Sequence, residues 1–288
     1  MFSTESCHAE PLDKLRVNSA KHLYDDIRDP SLSLRVTCQR ESMGINLHQD
    51  LINKNHELWN RKPILRTAYQ DMYRIAATQL SGLSDSKIVE LGSGMGHIRD
   101  VIPNCITTEL FPFPWIDQIE NAYKLSFEDE SISDLISTDV FHHLKYPGTA
   151  LIELHRVLRP GGRIILLEPC MSLLGLLVYG AFHVESIAIT KKIEWLAPAD
   201  WSPEHLDYYA AQGNATRIFV GKKYRSQLTA WKSVKTIRLS ALAYAASGGY
   251  SGPQLYPTGM YSAVKSLEKF LDLFPSLFAT RLLVVLEK

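Results

Sequence analysis

The sequence predicts a doubly wound α/β fold, a mostly parallel seven-stranded sheet preceded by an N-terminal helical arm. Three observations carry this. Short β-branched and apolar runs alternate with segments of helical period through the middle of the chain, which makes a parallel sheet covered on both faces. The first run ends in a glycine-rich turn that leads into a helix. With 288 residues, 45% of them apolar, the chain is long enough to bury a full core.

The elements follow in order. Residues 1–56 are polar and irregular and read as an arm. From Glu57 to Leu80, Leu58, Leu65, Tyr69, Met72, Tyr73 and Ala76 recur at the helical period, and Pro63 suits a first turn or an interruption. Strands are expected at Lys87–Leu91, Ile106–Thr108, Trp115–Ile119, Leu135–Thr138 and Arg163–Glu168. Short helices are expected at His97–Val101 and Thr149–Leu158, the second stopping at Arg159, Pro160, Gly161 and Gly162. Beyond Glu168 an apolar segment precedes a helix with Ser202 as N-cap, Pro203 in its first turn and Gly213 at its close. A strand near Lys235–Leu239, a glycine-rich loop at Ser247–Pro253, a helix from Met260 to Leu273 and a strand at Leu282–Leu286 complete the chain.

Composition narrows the function. The 31 basic and 31 acidic side chains cancel, so no bulk field draws the chain onto nucleic acid. Cys7, Cys38, Cys105 and Cys170 lie far apart with no metal-ligand spacing, and the histidines of the arm show none either, so no metal site is expected. The N-terminus lacks a secretory pattern, which points to the cytoplasm. The longest uncharged apolar stretch, Cys170–Phe182, falls short of the roughly 18 residues needed to span a bilayer.

The sharpest signal is Ile88, Val89, Glu90, Leu91, Gly92, Ser93, Gly94, Met95, Gly96, a β-run ending in an acid and alternating glycines. Glycine suits a turn that must bring its backbone against a ligand. A dinucleotide site would show G-x-G-x-x-G and receive a pyrophosphate. Here the spacing is G-x-G-x-G, and Glu90 would repel phosphate while pairing with an ammonium or sulfonium. Glu109 ends the second strand, where an acid can accept from both ribose hydroxyls.

With these residues the chain resembles the class I S-adenosylmethionine-dependent methyltransferases, in particular those with a type 11-like methyltransferase domain. The resemblance is carried by the glycine turn and Glu109, by Asn121 to Phe127, by Asp139, Val140, Phe141, His142, His143 and Leu144, and by Arg156 to Gly162. It covers about residues 85–170. It implies S-adenosylmethionine as cofactor, with Glu90, Gly92, Gly94 and Gly96 at its methionine part, Glu109 at the ribose, and Asn121 and Ala122 at the adenine edge. The family usually has Asp where Asn121 stands, and a neutral acceptor should bind more weakly. The proline-rich stretch between Glu109 and Trp115 leaves no room for the usual helix, so a loop is expected there.

A sulfonium is already electrophilic, so catalysis is mostly positioning, plus a base where the nucleophile is a hydroxyl. Candidate bases on the loops after the fourth and fifth strands are His142, His143, Glu168, His183 and Glu185, and of these His183, His142 and Glu168 are the catalytic candidates. The methyltransferase domain is assigned to residues 57–288, with 170–260 shaping the acceptor side. Segment 170–182 reads as a core or dimer helix, a lid, or a membrane-surface contact. Tyr244 to Ser251 is similar to a tract in methyltransferases of bacterial surface-glycan enzymes, so a sugar or other small hydroxylated molecule is the expected acceptor. The rivals are an NAD-dependent oxidoreductase and an inert S-adenosylmethionine-binding protein. Glu109→Ala should cost about 1.5 to 3 kcal/mol of cofactor binding, about 10-fold to 150-fold in affinity. Calorimetry with S-adenosylhomocysteine measures it, and parent-like affinity would reject the assigned second strand.

Overall fold

The computed structural model describes residues 52–183, 185–204, 208–250 and 252–288. The arm expected over residues 1–56 lies outside them except for 52–56, which open a helix over residues 52–61, α1. Lys62 interrupts the helical run and α2 starts at Pro63, whose missing N–H costs nothing at a first helical position. The break is tied down by Lys62 Nζ, which donates to the carbonyls of Gly249 (2.8 Å) and Gly252 (2.6 Å) in the glycine-rich loop.

Seven strands form one sheet: β1 (Ile88–Leu91), β2 (Ile106–Glu109), β3 (Gln118–Ile119), β4 (Ile132–Thr138), β5 (Leu158–Pro169), β6 (Ser233–Leu239) and β7 (Arg281–Glu287). Their order is β3-β2-β1-β4-β5-β7-β6, and only β7 runs antiparallel to its neighbours. Alternate residues of each central strand enter opposite cores. Leu135, Ile164, Leu166 and Val284 pack with Leu151 and Leu154 of helix α3 (Pro147–Val157). Ile136, Ile165, Leu167 and Val285 pack instead with Leu65, Tyr69, Met72 and Ala76 of α2 (Pro63–Ala77). Burial on both faces explains why these strands read as unbroken apolar runs.

Several expected boundaries move for identifiable reasons. Helix α3 passes directly into β5 at Leu158, before the Pro160–Gly162 turn, and Lys288 Nζ satisfies its last carbonyls at His155 and Leu158. The stretch from Leu110 to Asp117 is a loop, as the short proline-rich linker requires, and Asp117 anchors it by accepting from Thr107 N–H at 2.8 Å.

The helix expected over residues 202–213 is not found among the described residues of that segment. Its backbone donors go elsewhere: Ala211 N–H to the His142 carbonyl, Gln212 N–H to Ser186 and Gly213 N–H to Ile187. Tertiary partners replace the helical ladder, so Ser202 caps only a turn through Glu204.

The apolar segment after β5 forms helix α4 (Leu173–Ala181), capped by Ser172 Oγ accepting from Gly175 N–H. Gly175 and Tyr179 are buried, whereas Leu173, Leu177 and the following Phe182 are exposed. No helix among the described residues is long and apolar enough to cross a membrane. Helices α5 (Leu242–Ala245), α6 (Tyr261–Leu271) and α7 (Pro275–Phe278) lie between β6 and β7. A Cβ on Gly175 would overlap the Cys170 carbonyl oxygen and press on that of Ala279. Gly175→Ala should therefore destabilise by about 1 to 3 kcal/mol, although alanine in an open helix would gain about 1 kcal/mol. A urea midpoint that rises instead would show that α4 does not need this approach.

Candidate active site

Loops at the carboxyl ends of β1, β2, β4 and β5 converge on one side of the sheet, the place where open α/β sheets bind ligands. After β1, Gly92, Gly94 and Gly96 take φ of +66°, +55° and +70°, and a Cβ on Gly92 would overlap Val140 of the loop after β4. A side chain there is barred by both conformation and space. Ser93 locks the turn to the next strand, its N–H donating to the Thr108 carbonyl and its hydroxyl to the Glu90 carbonyl.

Glu109 and the glycine turn are in direct contact. Its carboxylate accepts Gly94 N–H at 3.0 Å and its own neighbour Leu110 N–H at 2.9 Å. Glu90 is 1% exposed, and its Oε2 has no hydrogen-bond partner. Burial raises its carboxyl to about 8, with the nearby Glu109 adding to the rise and Ser93 opposing it. A buried acid in that state gains most from a cation. Asn121 donates through Nδ2 to the Pro203 carbonyl and accepts Tyr123 N–H on Oδ1, closing the turn that carries Ala122.

The loop after β4 is built around two acids, the half-buried Asp139 and the fully buried Glu168. Asp139, at φ +59°, takes the guanidinium fork of Arg281, with Nη2 to Oδ2 at 2.6 Å. Although burial opposes it, Arg281 holds the Asp139 carboxyl below its ordinary range. Arg281 is itself 1% exposed and lies over the Tyr244 ring at 4.4 Å. Glu168, fully buried at the end of β5, accepts Val140 N–H (3.0 Å) and Phe141 N–H (2.7 Å) on one oxygen. Its other oxygen takes His142 N–H (3.3 Å) and pairs with His142 Nδ1 (2.7 Å). This carboxylate is spent on the loop.

The three catalytic candidates fall into one network. His142 Nε2 lies 3.3 Å from Glu185 Oε2, and Glu185 also takes Tyr208 OH at 2.8 Å and Gln212 Nε2 at 2.9 Å. Burial opposes a charge on His142, but Glu168 outweighs it and, with Glu185, raises the imidazole to about 10. Glu185 is correspondingly held well below the usual carboxylate range, against its burial, by His142 and His143. Gln212 Nε2 reaches His183 Nδ1 at 2.7 Å as well. Because a carboxylate can only accept, Gln212 Nε2 is the donor to both, and His183 Nδ1 is an acceptor. Burial lowers the His183 pKa, so the neutral ring carries its hydrogen on Nε2 and offers a donor there instead of a lone pair.

Arg281, Tyr208 and Gln212 escape sequence reasoning. Each comes from a segment without a motif, and only Arg281, a charge opening an apolar strand, left a trace in the sequence.

A family model described as a methyltransferase domain matches residues 108–166, from β2 through the 139–144 loop into β5. No curated protein matches the chain. Among solved structures, a methyltransferase from Thermotoga maritima, described as S-adenosylmethionine-dependent, is similar at 14% identity and a TM-score of 0.47, covering 83% of this chain and 99% of its own. Another from Archaeoglobus fulgidus is similar at 12% identity and a TM-score of 0.46, covering 77% of this chain and 94% of its own. Residues 108–166 are thus similar to a methyltransferase domain, set in a seven-stranded sheet whose glycine turn lies between two acids.

Proposed function

We propose that this enzyme methylates a hydroxyl of a sugar or other small hydroxylated molecule in the cytoplasm, with residues 57–288 as its methyltransferase domain and 170–260 shaping the acceptor side. The observation that carries the reading is the polar network of His142, Glu185, Gln212, His183 and Tyr208, joined to the loop whose Val140 packs on the glycine turn and rich in donors and acceptors that suit a hydroxyl. S-adenosylmethionine supplies a methyl group on a positively charged sulfur. On the protein side, Glu90 faces the cationic methionine part, the Gly92–Gly96 backbone cradles it, Glu109 takes the ribose hydroxyls, and Asn121 and Ala122 border the adenine. The unpartnered oxygen of Glu90 supports this fit, since a buried carboxylate is stabilised by a cation placed against it.

Each acceptor-side residue has a role in this reading. His142 and Glu185 orient the acceptor oxygen, and Glu168 positions His142 by holding its loop. His183, showing Nε2–H, serves as a hydrogen-bond donor to the acceptor. Screening methyl transfer from labelled S-adenosylmethionine onto sugars, phenols, lipids and proteins tests the substrate class, and labelling of protein or lipid alone would reject it. His183→Ala should leave S-adenosylhomocysteine affinity within a few-fold of the parent and lower kcat/KM about 10-fold, the value of one hydrogen bond. A loss of about 100-fold or more would instead assign His183 the proton.

Glu90 makes the cofactor reading pH-dependent. Its carboxyl titrates near 8 in the ligand-free fold against an ordinary 4.5, so the folded state holds an extra proton between those values. That contribution to stability is complete below pH 4.5 and is lost as pH rises through 8. A cationic ligand favours the ionised carboxylate, so cofactor affinity should increase over the same rise. Glu90→Gln should melt higher relative to the parent at pH 8.5 than at pH 6, and should bind S-adenosylmethionine more weakly with a flattened pH profile. Parallel melting and binding curves for the two proteins would remove Glu90 from the site.

A further inference from the structure

The ring nitrogens of His142 and His143 are fixed by partners that can only accept. His143 Nδ1 lies 2.8 Å from the Tyr209 carbonyl, so its hydrogen is on Nδ1 and the lone pair of the neutral ring is on Nε2. His142 Nδ1 donates in the same way to Glu168 at 2.7 Å. Both Nε2 atoms are directed at one carboxylate, His142 at 3.3 Å from Glu185 Oε2 and His143 at 3.7 Å from Glu185 Oε1. The three ligand atoms lie within 4.8 Å of one another. A proton on His142 Nε2 satisfies the first contact, but the second still sets an acceptor against an acceptor. A cation between the three atoms would meet both lone pairs at once.

We propose that His142 Nε2, His143 Nε2 and the Glu185 carboxylate form a binding site for one divalent transition-metal ion, which coordinates the acceptor's hydroxyl. Ligand atoms about 3.4 Å apart are what a tetrahedral ion with bonds of about 2.1 Å requires. The surrounding contacts match a metal centre, where each ligating histidine gives its other N–H to a carboxylate or carbonyl. Glu168 and Tyr209 do this here, while Tyr208 and Gln212 orient Glu185. Gln212 is 1% exposed and its Oε1 has no hydrogen-bond partner, so the cluster holds one further unmatched acceptor.

Charge points the same way. Asp139 and Arg281 cancel, and beside the buried Glu168 and the partly buried Glu185 a divalent ion would take the place of the one proton that His142 Nε2 otherwise holds. Two imidazoles with one carboxylate suit zinc, manganese, iron or cobalt better than magnesium or calcium, which prefer oxygen alone. Three protein ligands leave a position open for the acceptor, whose hydroxyl becomes more acidic on the ion. Its proton leaves to solvent, its oxygen bonds the methyl carbon, and the carbon–sulfur pair stays on sulfur, which becomes a neutral thioether. This use of the ion rests on the methyl-transfer reading above, whereas binding of the ion does not.

The test is titration of the full-length, chelator-stripped protein with Zn2+ by calorimetry and with Co2+ by visible absorption, without cofactor or acceptor. One ion per chain is expected, with d–d bands of nitrogen and oxygen ligation. Glu185→Gln and His143→Ala should each weaken Zn2+ about 100-fold or more, while their melting and S-adenosylhomocysteine affinity stay near the parent's. Absence of stoichiometric Zn2+ binding, or parent-like binding in both variants, would overturn the site, and His142 would then hold a proton where the ion is placed. Zn2+ binding that depends on Glu185 in a protein that takes up no S-adenosylhomocysteine would overturn the cofactor reading and leave the metal site standing.

Discussion

The carboxylate of Glu168 organises the loop after β4 and the polar cluster it carries. Buried at the end of β5, it accepts from three consecutive backbone N–H groups of residues 140–142 and from the ring of His142. An unpaired charge at that depth would cost several kcal/mol, so the loop must close on it. Everything beyond depends on that closure: the tight turn Phe141–His143 puts the two imidazoles 4.2 Å apart, and they in turn meet Glu185.

A second acid does comparable work at the glycine turn. Glu109 holds Gly94 N–H, and Val140 fills the space a side chain on Gly92 would need. The loop after β4 thus touches both halves, packing on the glycine turn at Val140 and presenting polar groups from His142 onward. The glycine turn and the His142 cluster thus share one loop. Asp139 strengthens it through Arg281, which crosses from β7 into the same mouth.

The acids at these strand ends are neutralised in different ways. Asp139 has a buried guanidinium, Glu168 has backbone donors and an imidazole, and Glu109 has loop N–H groups. Glu90 has an oxygen with no such partner and stays largely protonated at neutral pH. The difference sets Glu90 apart from the three acids whose charges the fold itself satisfies.

The glycine turn and its acids were legible in the sequence because their physics is local. A turn that needs positive φ demands glycine, a strand buried on both faces demands an apolar run, and Glu90, Gly92–Gly96 and Glu109 sit within one β-turn-β stretch. The mostly parallel sheet and the loop replacing the helix before β3 followed from the same short spacings, whereas the strand order came only with the structure. The acceptor half was legible only as a list. His142, His143, Glu168, His183 and Glu185 could be named, but their roles depend on partners from distant segments, such as Tyr209 and Gln212 in a stretch whose capping signals promised a helix. Those signals lost because Ala211, Gln212 and Gly213 give their N–H groups to residues brought near by the fold. Local conformational demands were thus readable residue by residue from the sequence, while the direction of each lone pair and the balance of buried charge were decided only by tertiary structure, because a side chain's protons are placed by whatever lies against it.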